Sequence, residues 1–258
     1  MTKYPIVLVH GIMMKDVRHF KAFGRIEARL HDYGYLVYTA NHDGLGSIEN
    51  NAEQLKVYIE ELLLRIGAEK VNIIAHSKGG LDALYMIDKL GMQDRVASVT
   101  FLSTPHKGSV IAEKLYELPC PVRWCIATWL NIVYRILGDK NPDALEACRQ
   151  LRTNPLGVLE LDHPHDGIYM QSFSTTLEHG RDDFIMGIPL FFSHHYEQQP
   201  SDGLVSKSSS RFRHYRGDCV EGSVSHSEIV DFMVKKKKKE KIYGFYVELA
   251  KELSEMGF

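Results

Sequence analysis

Short runs of apolar, largely β-branched residues recur along the chain, and longer segments with apolar positions at helical spacing lie between them. Ile6 to Val9, Tyr35 to Thr39, Val71 to Ala75 and Val99 to Ser103 have the length and composition of buried strands. Phe20 to Tyr33, Ile48 to Ile66 and Gly79 to Leu90 read as amphipathic helices. This alternation predicts an α/β fold with a mainly parallel central sheet and helices on both faces. No Gly/Ser-rich or Pro-rich linker divides the chain, so residues 1–258 are expected to form one domain. In open sheets of this kind ligands bind beyond the carboxyl ends of the strands, so the chemistry is sought there.

The third strand-like run ends in His76-Ser77-Lys78-Gly79-Gly80 and passes directly into a helical pattern. A sharp strand-to-helix turn around a serine is the nucleophile elbow, which needs small residues two before and two after the serine. Ala75 and Gly79 meet that need, with Ala75 departing from strict Gly-x-Ser-x-Gly by one methyl. A serine in a Gly-rich helix cap or phosphate-binding turn is the plainer alternative. The first run ends in His10-Gly11-Ile12, which places a turn at the same sheet edge. A nucleophilic serine requires N–H donors for the developing oxyanion, and Lys78 and Ile12 are the expected ones. His10 itself reads as a structural residue bracing that turn.

The serine also needs an acid and then a histidine, in that chain order. Asp202, in Pro200-Ser-Asp-Gly-Leu-Val205, and His226, in Ser223-Val-Ser-His-Ser-Glu-Ile229, precede apolar runs in the required order, the second just before a long helical segment. His106, His163, His165, His179, His194, His195 and His214 are the rivals for the base.

Composition narrows the function classes. With 44% hydrophobic and 25% charged residues the chain has the balance of a soluble globular protein, and its net charge of -2 argues against a nucleic-acid partner. The most apolar stretch, Val122 to Leu137, is interrupted by Arg123, Asn131 and Arg135, which a membrane span would not tolerate. The four cysteines form no metal-binding pattern and read as buried thiols. No export signal is visible at the N-terminus, which leads to the expectation of a cytoplasmic protein, or of a secreted one whose leader is not part of the chain.

Tyr4-Pro-Ile-Val-Leu-Val-His-Gly11, Ala75-His-Ser-Lys-Gly-Gly80, Ser103-Thr-Pro-His-Lys-Gly-Ser109, Ser201-Asp-Gly-Leu-Val205 and Ser225-His226 together resemble the bacterial true lipases, triacylglycerol acylhydrolases of the α/β-hydrolase fold. The five segments share the family's order and cover most of the chain. The resemblance implies Ser77, Asp202 and His226 as the catalytic triad, Ile12 and Lys78 as oxyanion donors, and an ester or lipid as substrate. It implies no cofactor for the chemistry and no protein partner. It does raise a structural calcium ion, because Asp182 lies 20 positions before Asp202 and Glu228 two after His226, where the family places its carboxylate ligands. Calcium takes about six to eight oxygens, and two carboxylates provide few of them.

Several features lie outside that scheme. An insertion at about residues 109–161 is expected to form a helical cap. Its apolar segment carries Trp124, Trp129, Ile132, Val133, Ile136 and Leu137 at helical spacing, and the two tryptophans are candidates to line an acyl pocket and to touch a lipid surface transiently. Asp162-His-Pro-His-Asp166 resembles a transition-metal ligand cluster, or is a polar turn broken by proline. The run Lys235 to Lys239 reads as a solvated helix face, or as a patch for an anionic membrane. Three alternatives to a lipase stay open: a short-chain esterase, thioesterase or acyltransferase on the same triad, a catalytically silent hydrolase-fold binding module, and a metal-dependent hydrolase using the histidine cluster.

Overall fold

The four apolar runs form the first four strands of a six-stranded sheet in the computed structural model, which describes residues 1–152 and 167–258. The strands are β1 (Ile6–Val9), β2 (Val37–Ala40), β3 (Val71–His76), β4 (Val96–Leu102), β5 (Tyr169–Ser174) and β6 (His214–Asp218). Their order is β2-β1-β3-β4-β5-β6, and every neighbouring pair is parallel. All residues of β1, β3 and β4 are buried, as expected for strands covered on both faces and read from near-continuous Val, Ile and Leu. The register Val9↔Ala75 and Ala75↔Phe101 brings the carboxyl ends of β1, β3 and β4 to one edge, which positions the site.

Helices α1 (Ile26–Asp32), α2 (Ile48–Ile66), α3 (Lys78–Lys89) and α8 (Lys236–Glu255) cover the sheet. Helix α2 spans the predicted residues because both of its ends are specified. The Ser47 hydroxyl accepts from Asn50 N–H at the start, and Gly67 stops the helix in the left-handed conformation at φ 68°. On one face of the sheet Leu55, Ile59 and Leu62 pack with Leu81, Leu84 and Ile87 of α3. On the other, Phe23, Ile26 and Leu30 pack with Ile242, Tyr246 and Leu249 of α8. The expected helix over residues 20–33 is shorter in the structure, beginning at Ile26, since Asp16 caps the preceding turn by accepting from Ala22 N–H and Lys21.

Between β4 and β5 lie α4 (Val110–Tyr116), α5 (Cys120–Ile136) and α6 (Ala144–Gln150). Helix α5 is fastened over the sheet edge by the Tyr134 hydroxyl, which donates to Met13 O at 2.5 Å, and by a small core of Leu45, Ala127, Tyr134 and Ala144. Helix α7 (Gly187–Glu197) follows β5. Among the described residues no helix is long and apolar enough to cross a membrane.

Candidate active site

Strand β3 delivers Ser77 to the sheet edge in a backbone conformation that side chains rarely adopt, φ 54° and ψ −133°, immediately before α3 starts at Lys78. The turn is held by Ser77 N–H donating to Leu102 O at 2.9 Å. It closes so tightly against β1 that a Cβ on Gly11 would lie 2.6 Å from the Ser77 Cβ, and one on Gly79 would lie 2.8 Å from Val9 O. Glycine is therefore required at both positions, while Ala75 lies buried inside β3.

Three side chains from distant parts of the sequence converge here. His226 Nε2 lies 2.9 Å from Ser77 Oγ, and His226 Nδ1 lies 2.8 Å from Asp202 Oδ2. A carboxylate only accepts, so Nδ1 carries the proton and Nε2 is left to accept the serine proton. All three residues are buried. Burial by itself would raise the Asp202 carboxyl, but His226 and the N–H groups of Val205 and Leu204 hold it below its ordinary range. Those two N–H groups reach back because Gly203 takes φ 110°.

Sequence reasoning missed two supports of this arrangement. Thr175, just past β5, donates its hydroxyl to Asp202 Oδ2 at 3.0 Å and is itself 2.8 Å from Ser103 Oγ. Ser103 is another non-glycine residue at positive φ. His76 packs its ring 4.5 Å from that of His226, and burial pushes it well below its ordinary pKa, so a neutral ring backs the imidazole. The sequence signal was slight: a histidine beside the serine, and polar residues at the end of an unrecognised strand.

The rival histidines stand elsewhere. His179, His194, His195 and His214 are exposed, and His106 is buried between Phe101 and Phe212. Burial lowers its pKa to about 3. His163, His165 and the Asp162 to Asp166 cluster lie outside the described residues. His10 stacks on His42 at 3.8 Å, and burial lowers its pKa to about 4, consistent with the bracing role expected of it.

Gly11, packed against the Ser77 Cβ, precedes Ile12, and Lys78 directly follows the serine. Ile12 N–H has no acceptor among the described residues, whereas its neighbour Met13 donates to Gly44 O at 2.7 Å. Lys78 opens α3, where first-turn N–H groups lack intrahelical acceptors. Beyond Ser77 opens an apolar cavity of about 230 Å³, walled by Ile12, Leu45, Leu115, Ile126, Ala127 and Leu130, among others. Trp124 and Trp129 are not in this wall, which corrects the expectation for them. Residues 123, 126, 127 and 130 share the inner face of α5, and the helical repeat turns the tryptophans outward, where they are 60% and 63% exposed.

The residues placed at a calcium position do not fit a divalent ion. The Glu228 carboxylate is taken by Lys238 Nζ at 2.6 Å and Ser225 N–H at 3.1 Å, and Asp182 Oδ2 accepts from the Ser223 hydroxyl at 2.7 Å. Among the described residues no group of three or more His, Cys, Asp or Glu side chains gathers that could hold a metal ion.

A parallel sheet covered by helices, with a strained serine after β3 and an acid and a histidine supplied by later loops, is the architecture of the α/β-hydrolase fold. Residues 4–118 match the family model described as the alpha/beta hydrolase fold. Lipases are among the chain's sequence relatives. A triacylglycerol lipase of Pseudarthrobacter phenanthrenivorans is 32% identical over 180 residues, covering 65% of this chain and 56% of that protein. One of Burkholderia plantarii is also 32% identical over 180 residues, covering 65% and 50%. The chain thus spans about half the length of the curated relatives it matches. The mature form of a Bacillus licheniformis lipase superposes with a TM-score of 0.71 at 21% identity, covering 96% of this chain and 92% of that one, a likeness of fold.

Proposed function

We propose that the protein is a serine carboxylic-ester hydrolase, a lipase that cleaves acylglycerol esters through an acyl-enzyme. The observation that carries this is the Ser77–His226–Asp202 hydrogen-bond chain opening onto an apolar cavity. His226 Nε2 takes the Ser77 proton as Oγ attacks the ester carbonyl, and the Ile12 and Lys78 N–H groups receive the charge that develops on the carbonyl oxygen. The tetrahedral intermediate collapses with His226 protonating the departing alcohol. Water then enters, gives its proton to His226 and attacks the acyl-serine, releasing the acid and restoring the serine. Asp202 stabilises the imidazolium formed in each half-reaction and keeps Nε2 facing the serine.

The lipid reading draws on the relatives' names and on the apolar side chains exposed on α5 and around α7. On the outer face of α5, Trp124, Trp129, Ile132 and Ile136 are exposed, and Phe184, Ile188 and Phe191 are exposed in and beside α7. Such a surface suits transient contact with a lipid aggregate.

The test is a series of p-nitrophenyl and glycerol esters of increasing acyl length, run beside labelling with a serine-directed phosphonate. The expected result is stoichiometric labelling at Ser77 and rates that rise from acetate to medium-chain esters. Preference for acetate would make the protein a short-chain esterase, and a folded protein that takes no label would overturn the hydrolase reading.

A further inference from the structure

The His226 loop is held by more acids than a neutral turn needs. Ser225 and Glu228 exchange bonds, with Ser225 N–H donating to Glu228 Oε2 at 3.1 Å and Glu228 N–H donating to Ser225 Oγ at 3.2 Å. This closes the turn that presents His226, in the manner of a capping box. The Ser225 hydroxyl also donates to Asp183 Oδ2 at 2.5 Å, and Ser223 Oγ donates to Asp182. The 182–183 segment and the histidine loop are therefore joined through carboxylates, and Glu228 is only 2% exposed. A carboxylate buried to that degree needs a cation.

That cation is covalently part of the chain. Lys238 Nζ lies 2.6 Å from Glu228 Oε2, and Lys235, three residues earlier at the N-cap of α8, donates to Asp182 O at 2.6 Å. Lys238 also acts through space on Asp182. Lys239 lies 3.6 Å from Asp231, the residue that ends the loop. These lysines occupy the N-cap and first turn of α8, where there is no acidic residue, although a helix N-terminus repels positive charge. Their placement there is unfavourable for the helix alone and is offset by the acids they meet. The run is thus divided: Lys235, Lys238 and Lys239 have partners in or beside the histidine loop, and Lys236 and Lys237 point to solvent.

We propose that Lys238, assisted by Lys235, is the built-in cation of the His226 loop: it neutralises Glu228 and fastens the loop to the 182–183 segment, so that the site operates without a divalent metal. Lys238 is a positioning residue, acting on the reaction through the place it gives His226. The inference rests on His226 being the general base.

The experiment compares wild type, Lys238→Met and Lys238→Arg. The readouts are kcat and KM on a soluble ester, thermal midpoint with EDTA or millimolar calcium chloride, and calorimetric titration with calcium. Wild type should keep its midpoint and kcat in both additives and show no calcium heat. Lys238→Met should lose at least about tenfold in kcat, because the base is displaced, with KM nearly unchanged. It leaves Glu228 without its cation, so calcium should bind the variant and raise its midpoint. Lys238→Arg should stay within about threefold of wild type, since it restores the charge and the bond. A wild type that loses midpoint and kcat to EDTA and regains both with calcium would overturn the proposal, as would Lys238→Met with wild-type kcat. Should Lys238→Met not fold, the wild-type EDTA and calcium arms still decide. The midpoint and calorimetric arms need no turnover, so a protein without esterase activity would be recognised separately.

Discussion

Lys78, the residue after Ser77, buries its ammonium 2.7 Å from Asp82 Oδ1, and neither side chain has appreciable contact with solvent. Asp82 also accepts from Asn51 Nδ2 at 3.2 Å, and its other neighbour is His42 at 3.6 Å. Burial raises Asp82 to about 6, against the opposing pull of Lys78. The side chain of Lys78 is thus locked one turn into α3, and Asp82 ties that turn to Asn51 of α2.

Removing one partner of that pair strands a buried charge. Asp82→Asn is expected to destabilise the fold by about 3–5 kcal/mol, whereas Lys78→Met combined with Asp82→Asn should recover most of the loss. Urea unfolding of the two single variants and the double variant measures this, and additive losses would contradict the coupling. The N–H at position 78 belongs to the backbone, so the double variant should keep its turnover.

Asp202→Asn should reduce kcat by about ten-thousandfold, as the same change does in a serine protease, because an amide can donate to Nδ1 and leave the wrong nitrogen facing Ser77. Thr175→Val removes one bond to the same carboxylate and should cost about 1–3 kcal/mol in stability. Ester hydrolysis and urea unfolding check the two, and near-wild-type turnover in Asp202→Asn would remove the acid from the site.

His106 supplies a pH test. Its folded pKa lies near 3 through burial, below its value of 6.5 when unfolded, so the unfolded chain takes up the proton first as pH falls. Stability is therefore complete above about pH 6.5 and is lost on acidification from there towards the folded value. His106→Phe keeps the aromatic packing and lacks that proton site. Relative to wild type it should gain about 2 kcal/mol between pH 7 and pH 4.5. Parallel pH dependence in the two proteins, measured by denaturant unfolding, would contradict this.

The cavity predicts chain-length behaviour. Ala127 faces it from the inner side of α5 and is buried, so Ala127→Phe should fill part of the space. Each methylene that can no longer be buried is worth about 0.8 kcal/mol, or roughly fourfold in kcat/KM, while acetate esters should be unaffected. Equal effects on short and long esters would place the acyl chain elsewhere.

The legible parts of this protein were those governed by local rules. The buried strands β1, β3 and β4 are continuous apolar runs, and α2 carries a cap at each end. Strands β5 and β6 escaped because Tyr169-Met-Gln-Ser-Phe-Ser174 and His214-Tyr-Arg-Gly-Asp218 carry polar residues that no local apolar pattern explains. Gln171 bonds to Thr100, Ser172 to Phe212 O, and β6 is a half-exposed edge. The tryptophans misled because helical spacing gives a stripe without saying which side of it meets the core.

By itself the sequence determined the order of strand, serine, acid and histidine, since a parallel sheet with a nucleophile elbow needs small residues and turn signals at fixed chain positions. Only the tertiary structure decided what each polar group meets. Thr175 reaches Asp202, Lys238 reaches Glu228, and the inner face of α5 rather than its tryptophans walls the cavity. The physical reason is range: backbone conformation answers to neighbours a few residues away, whereas the partner of a buried charge is set by which distant segments the closed core brings within about 3 Å.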